Sequence, residues 1–111
     1  MGAFNTLIVD LKCESCKANY FGRIQFKFGD KWQYEYRIYD QVKWGGNDEG
    51  IPKLPGVKVY GVLENETCLN CGHKNNEEYD LYFSYDIIKE VGVMSNMSDY
   101  HLHDGAYFIL N

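Results

Sequence analysis

The chain is poor in several features that would place it in particular classes of protein. Its 111 residues include only two prolines, and no apolar run approaches the roughly 18 residues that a membrane-spanning helix needs. The start, MGAFNTLIVDLK, lacks the basic segment and apolar stretch of a secretory signal, so we expect a soluble, cytoplasmic protein without membrane contact. No repeat or low-complexity tract divides the chain, so we expect a single domain over residues 1–111.

Basic residues are scarce in the second part of the chain. The formal net charge is −5, and residues 1–45 carry seven Lys/Arg against five Asp/Glu whereas residues 46–111 carry four against eleven. Lys and Arg supply most nucleic-acid affinity by neutralising phosphates, so this acidity disfavours nucleic acid and favours a basic protein partner. A solvated, solubilising face is the alternative interpretation. Five acidic residues lie near the second cysteine pair: Glu64, Glu66, Glu77, Glu78 and Asp80.

Alternation of apolar and polar residues predicts strands along most of the chain. Strands are predicted over the segments 4–11, 20–28, 57–64 and 78–88. The Gly29-Asp30 pair predicts a turn that joins the second of these strands to a strand over 32–38 in an antiparallel hairpin. In the last segment we expect five side chains on one face, those of Tyr79, Leu81, Phe83, Tyr85 and Ile87.

The remaining segments predict a long loop, one short helix and a terminal hairpin. Residues 44–56 contain four glycines and both prolines, a density that breaks regular structure and predicts the longest loop. A short helix is predicted near 86–91. The Asp104-Gly105 pair lies between alternating apolar flanks, which is typical of a two-residue hairpin turn.

Two CxxC pairs, Cys13 with Cys16 and Cys68 with Cys71, are the strongest chemical signal in the sequence. Each pair lies between an incoming and an outgoing predicted strand, so each is expected at a hairpin tip. Two such tips brought together place four thiolates at the corners of a tetrahedron, the geometry of closed Zn²⁺ sites. We therefore expect a mostly β protein, an antiparallel sheet with little helix, whose two cysteine-bearing tips are joined by one metal ion.

These motifs resemble the two cysteine turns, or knuckles, of the zinc-ribbon and rubredoxin-like families. The second, CLNCG, is the closer match because Gly72 follows its second cysteine, where a positive φ frees backbone amides to hydrogen-bond the sulfurs. The first, CESCK, has Lys17 at that position, so its turn is expected to differ or to be strained. The resemblance is limited to the knuckles and implies a metal site there.

Zinc is the expected metal, with a structural role, and iron is the alternative because a tetrahedron of four cysteines accepts either ion. Two alternatives need no metal: ordinary buried thiols, or local disulfides. A thioredoxin-like redox pair is disfavoured because no βαβ pattern surrounds either motif.

The sequence contains no recognisable catalytic arrangement, so we expect the protein not to be an enzyme. Four cysteine ligands leave a metal no open position for water, unlike a catalytic zinc site. His73, two residues after Cys71, is expected to be an exposed loop histidine rather than a ligand. His101 and His103 would share one face of a strand and could bind a second metal, although a polar face is the simpler interpretation.

Three functions fit these expectations. The first is a protein-interaction module whose acidic, tyrosine-bearing surface engages a basic partner, in the manner of inhibitors and immunity proteins that neutralise toxin nucleases. The second is a rubredoxin-like electron carrier that holds iron. The third is a nucleic-acid-binding zinc ribbon that uses the more basic first part of the chain.

Overall fold

The computed structural model describes residues 4–94 and 107–110 of the chain. Within those residues the chain forms nine strands and no helix, which confirms the mostly β prediction. The strands are β1 (Asn5–Lys12), β2 (Asn19–Phe26), β3 (Gly29–Asp30), β4 (Glu35–Tyr36), β5 (Asp48–Glu49), β6 (Val57–Leu63), β7 (Glu78–Ser84), β8 (Ile87–Val93) and β9 (Tyr107–Ile109). Two predictions, the Asp104-Gly105 turn and the pairing of His101 with His103, lie outside the described residues.

Seven of the described strands form one sheet. Its order is β4-β1-β2-β6-β7-β8, with β9 paired to β6, while β3 and β5 form a separate two-stranded sheet. The pairings of the larger sheet are antiparallel except for β1 with β4, where Thr6 faces Glu35 and Leu7 faces Tyr36 in parallel. The sheet is therefore mixed rather than purely antiparallel.

The hairpin predicted at Gly29-Asp30 is wrong, because β4 pairs with β1 and β2 pairs with β1 and β6. The side chain of Asn5, which is fully buried, explains the difference. Its Nδ2 donates to the carbonyls of Phe28 at 3.1 Å and Asp30 at 3.0 Å, and its Oδ1 accepts from the N–H of Tyr34 at 3.2 Å. These contacts hold residues 28–34 beside β1, so the chain that follows pairs with β1 and does not fold back along β2.

The helix predicted after Asp86 is also wrong. Tyr85 and Asp86 have φ values of 49° and 70°, and they form a two-residue turn that joins β7 to β8. Positive φ at both central residues matches the right-handed twist of the flanking strands. The turn also places Tyr85 in solvent, at 59% exposure, whereas Tyr79, Leu81 and Phe83 face the core as predicted.

Aromatic side chains form the centre of the hydrophobic core. Phe83 contacts Phe26 and Phe28 in edge-to-face arrangements, with centroids 5.6 and 5.1 Å apart, the geometry that ring quadrupoles favour. Trp44, at the start of the predicted loop 44–56, packs edge-on against Phe28 at 5.4 Å. The loop is therefore attached to the core, and it contributes β5 to the smaller sheet.

The pairing of β2 with β6 sets the position of both CxxC motifs. Ile24 of β2 faces Leu63 of β6, so the β1–β2 hairpin lies beside the β6–β7 hairpin. Asn65 extends this pairing toward the cysteines, since its Oδ1 accepts from the N–H of Arg23 at 3.1 Å and its Nδ2 donates to the carbonyl of Phe21 at 3.0 Å. The two connecting segments consequently project from the same end of the sheet.

Candidate metal centre

The four cysteines converge in the structure. Their sulfur atoms all lie within 4.8 Å of one another. Among the described residues, these four cysteines form a group that could hold a metal ion. Cys13 Sγ is 3.6 Å from Cys71 Sγ, and Cys16 Sγ is 3.7 Å from Cys68 Sγ. A tetrahedral site with metal–sulfur bonds of about 2.3 Å has sulfur–sulfur edges of about 3.8 Å. The cysteines are thus positioned to hold a metal ion.

The local disulfides considered as an alternative do not form, because all four cysteines are free thiols. The close sulfur pairs are also too long for a covalent bond of about 2.05 Å. Cys13 and Cys68 are buried, whereas Cys16 and Cys71 are accessible to solvent.

The first knuckle, residues 13–18, is closed by hydrogen bonds of its own backbone. The N–H of Lys17 donates to the carbonyl of Cys13 at 3.1 Å, and the N–H of Cys13 donates to the carbonyl of Ala18 at 3.0 Å. The N–H of Ser15 points at Cys13 Sγ, 3.4 Å away. Donors aimed at a sulfur stabilise its thiolate, the form that binds metal.

The second knuckle, residues 68–73, repeats this pattern. The N–H of Gly72 donates to the carbonyl of Cys68 at 2.8 Å, and the N–H of Cys68 donates to the carbonyl of His73 at 2.8 Å. The N–H of Asn70 lies 3.4 Å from Cys68 Sγ. Corresponding positions of the two knuckles therefore make the same contacts.

The residue after each second cysteine has a positive φ, 66° at Lys17 and 77° at Gly72. Glycine adopts this conformation without steric cost, whereas a residue with a Cβ does not. Of the two outcomes expected for the first knuckle, a different turn or a strained one, the structure has the strained one. The Lys17 side chain folds back, and its Nζ donates to the carbonyl of Glu14 at 3.0 Å.

Side chains that the sequence reasoning missed join the knuckles to each other. The N–H of Glu14 donates to Oδ1 of Asn75 at 2.8 Å, and the Glu14 carboxylate accepts from the backbone and side chain of Asn76 at 3.2 and 3.1 Å. The Nδ2 of Asn70 lies 3.5 Å from Cys16 Sγ. Asn75 is buried, and its Nδ2 has no hydrogen-bond partner among the described residues. No periodic pattern or motif in the sequence indicates these contacts.

The first knuckle favours thiolates. The pKa of Cys13 is lowered to about 6, first by the hydrogen bond from the backbone N–H of Cys16 and then by that of Ser15, against the effect of desolvation. The pKa of Cys16 is also lowered, first by the side chain of Asn70 and then by the N–H of Ala18.

The second knuckle has the opposite tendency at Cys71. The N–H of His73 acts to lower the pKa of this thiol, but desolvation and the three neighbouring sulfurs raise it to about 11. Four thiolates in such a small volume repel one another, so a bound cation is needed for all of them to ionise.

His73 is exposed, as expected, and lies outside the cysteine group. Its Nε2 is 3.6 Å from Oε1 of Glu14, with 41% of the side chain exposed. The backbone of His73 belongs to the knuckle, whereas its imidazole faces a carboxylate of the other one. The pKa of Glu14 is lowered first by the hydrogen bond from the backbone N–H of Asn76, and then by the contact with His73 and the side chain of Asn76, against the effect of desolvation.

The acidic residues predicted around the second pair are distributed unevenly. Asp80 is fully buried and so does not contribute to an acidic surface. The other four are exposed or half-buried: Glu64, Glu66, Glu77 and Glu78. Glu64 contacts Arg23, with 3.6 Å between Oε1 and Nε, so part of its charge is neutralised.

The fold and the site define a β protein with a cysteine cluster on two matching knuckles. Comparison with family models, with curated proteins and with solved structures found no match. In the part of the chain that the structure describes, no helix is long and apolar enough to cross a membrane.

Proposed function

We propose that Cys13, Cys16, Cys68 and Cys71 hold one Zn²⁺ ion in a structural site that joins the two hairpins. The observation that carries this proposal is the sulfur arrangement, with pairs at 3.6 and 3.7 Å and all four atoms within 4.8 Å. These distances match the edges of a zinc–thiolate tetrahedron, about 3.8 Å. With all four positions supplied by cysteine, the metal has no site for water, which supports a role other than catalysis.

Elemental analysis of the purified protein tests the metal site. We expect one zinc per chain, and we expect Cys68→Ser to lose both metal and stable fold, because the binding energy of a structural zinc is folding energy. His73→Ala is the matched control in the same knuckle and should keep both. A Cys68→Ser protein that stays fully folded without metal contradicts the structural role.

Iron in the same site is the second candidate, and the exposure of Cys16 and Cys71 favours it as an electron carrier because it brings the metal near the surface. Solvent exposure and hydrogen bonds to the sulfurs also help to set the reduction potential of an iron–sulfur site. The two candidates differ in colour, since ferric sites with four cysteines absorb visible light and zinc sites do not. A colourless protein with stoichiometric zinc, also after growth in iron-rich medium, excludes the electron carrier.

We propose further that the protein acts by binding another protein and is not an enzyme. Large apolar side chains at the surface support this function, among them Phe21, Trp32 and Tyr39 at 67, 65 and 71% exposure. Phe21 borders an open depression of about 670 Å³ on the outer side of β1 and β2. Aromatic residues at a surface supply much of the binding energy in protein interfaces.

The net charge of −5 favours a basic partner, and an inhibitor or immunity-type protein for a basic toxin nuclease is the most specific form of this proposal. Nucleic acid is a weaker candidate because part of the basic first half is neutralised. Arg23 contacts Glu35 at 3.2 Å, and Lys31 contacts Glu49 at 3.2 Å.

Affinity capture from the source cell tests the partner. We expect a basic protein to be retained at low salt and released as salt rises. Glu77→Gln, which removes one exposed carboxylate, should weaken retention. Recovery of no basic protein contradicts the proposal, and salt-sensitive binding of oligonucleotides supports the zinc-ribbon alternative.

A further inference from the structure

Two sulfur pairs at hydrogen-bond distance each join one knuckle to the other. Cys13 Sγ lies 3.6 Å from Cys71 Sγ, and Cys16 Sγ lies 3.7 Å from Cys68 Sγ. Each pair also combines one buried cysteine, Cys13 or Cys68, with one that solvent reaches, Cys71 or Cys16. An accessible cysteine can meet an oxidant, and a buried neighbour at this distance can then complete a disulfide.

We propose that the cluster is a site of reversible oxidation by peroxide, at which two disulfides form across the knuckles, Cys13–Cys71 and Cys16–Cys68. The inference concerns the regulation of the proposed metal site and rests on that proposal. Oxidation removes the thiolates that bind metal, so the metal ion is released as the disulfides form.

The chemistry balances with hydrogen peroxide as the only oxidant. The accessible thiolate of a pair attacks one peroxide oxygen, which gives a sulfenic acid and hydroxide as the O–O bond breaks. The buried thiolate of the same pair then attacks that sulfur and displaces a second hydroxide. Two protons convert the hydroxides into water, so each pair consumes one peroxide, loses two electrons and releases two waters.

The cross-knuckle pairing has a structural consequence that a disulfide within one CxxC motif lacks. Cys16 and Cys68 are 52 positions apart, and Cys13 and Cys71 are 58 apart, so both bonds connect the β1–β2 hairpin to the β6–β7 hairpin. The hairpins therefore stay joined after the metal has left. Disulfides within each motif would instead leave no covalent link between the knuckles.

Peptide mapping of the oxidised full-length protein tests the pairing. Metal content is measured first, the protein is treated with hydrogen peroxide, and remaining thiols are blocked with iodoacetamide before trypsin digestion. Trypsin cleaves after Lys12, Lys17, Lys58 and Lys74, so the knuckles fall on separate peptides, 13–17 and 59–74. We expect these peptides to be cross-linked as the dominant product, with tandem fragmentation assigning the two bonds, and dithiothreitol to restore all four thiols.

A melting measurement completes the test. The oxidised protein should melt at a higher temperature than reduced protein treated with a chelator, because only the oxidised protein has covalent links between its knuckles.

The outcomes separate the two proposals. Disulfides confined to each peptide, or only sulfinic and sulfonic acids, overturn the inference. Absence of metal before oxidation contradicts the metal site but leaves the disulfide map readable. Metal release without cross-linked peptides leaves the metal site standing and overturns the disulfide inference.

Discussion

The two knuckles have the same backbone and different side chains. In both, the N–H four residues after the first cysteine donates to the carbonyl of that cysteine, and a backbone N–H points at its sulfur. They differ where the first has Glu14 and Lys17 and the second has Leu69 and Gly72. The spacing of the cysteines thus specifies the turn, whereas the residues around them determine its strain, its charge and its contacts.

Because of these side chains, the two knuckles make different contacts and shift the pKa values of their thiols in different directions. Glu14 of the first knuckle binds Asn75 and Asn76, which follow the second, whereas Leu69 at the corresponding position is fully exposed. The first knuckle also lowers the pKa of its two thiols, while the pKa of Cys71 is raised. The first knuckle therefore contains the side chain that makes most of the contacts between the knuckles. Its two thiols also ionise more easily than Cys71.

Removal of the metal should have the largest effect and should destabilise both knuckles. We expect a chelator, Cys16→Ser or Cys68→Ser each to lower the free energy of unfolding by several kcal/mol, because each removes the whole site. The double variant should be no worse than either single variant. Chemical denaturation with and without metal measures this, and additive losses would contradict a shared site.

Acidification should weaken metal binding, chiefly through the second knuckle. Cys71, with a pKa of about 11 in the absence of metal, must lose a proton on binding, so the apparent affinity should fall at least about tenfold per pH unit between pH 8 and 7. As the pH falls toward 6, protonation of Cys13 should steepen this loss. Competition with a chromophoric chelator measures the slope.

Replacing single cysteines by histidine tests which thiol loses its proton when the metal binds. Cys71→His should flatten the slope above pH 7, because imidazole is already neutral there and still binds zinc. Cys13→His replaces a thiol whose pKa is low and should leave the slope unchanged. The reverse result would assign the displaced proton to the first knuckle.

Loss of the contacts between the knuckles should have a moderate effect. Asn75→Ala removes the buried acceptor for the N–H of Glu14 and should cost about 1 kcal/mol. Asn76→Ala removes exposed hydrogen bonds to the Glu14 carboxylate and should cost less than about 0.5 kcal/mol. Equal costs, measured by urea denaturation of the metal-bound protein, would show that burial does not distinguish the two asparagines.

Exchange of the residues with positive φ should have the smallest effect. Lys17→Gly should stabilise the first knuckle by about 0.5 kcal/mol, the relief of strain less the entropy that glycine loses on folding. Gly72→Ala should destabilise the second by about 1 kcal/mol. Gly46, which has open space around its Cβ position and no positive φ, is the control, and its change to Ala should be nearly neutral. A destabilising Lys17→Gly would mean that the Nζ contact outweighs the strain.

The sequence predicted the elements of the site better than their connections. The CxxC motifs and the strands around them could be recognised because cysteine spacing and side-chain alternation are local. The buried Asn5 and the Tyr85-Asp86 turn misled the prediction. A polar side chain that takes backbone partners 23 and 25 positions away leaves no periodic signal, and neither residue of the turn is a glycine. Asn75 was missed for the same reason as Asn5, since its partner is 61 positions distant.

The boundary between β2 and β6 spans only three residue pairs, from Ile24 with Leu63 to Phe26 with Gly61, whereas β1 with β2 spans eight. It is the shortest boundary among β1, β2, β6, β7 and β8, so without the cysteine site it is the weakest connection between the two hairpins. Unfolding should therefore begin with separation of the two hairpins, each of which stays paired for longer. In hydrogen exchange, loss of metal should first expose amides at that boundary, and only later those inside each hairpin.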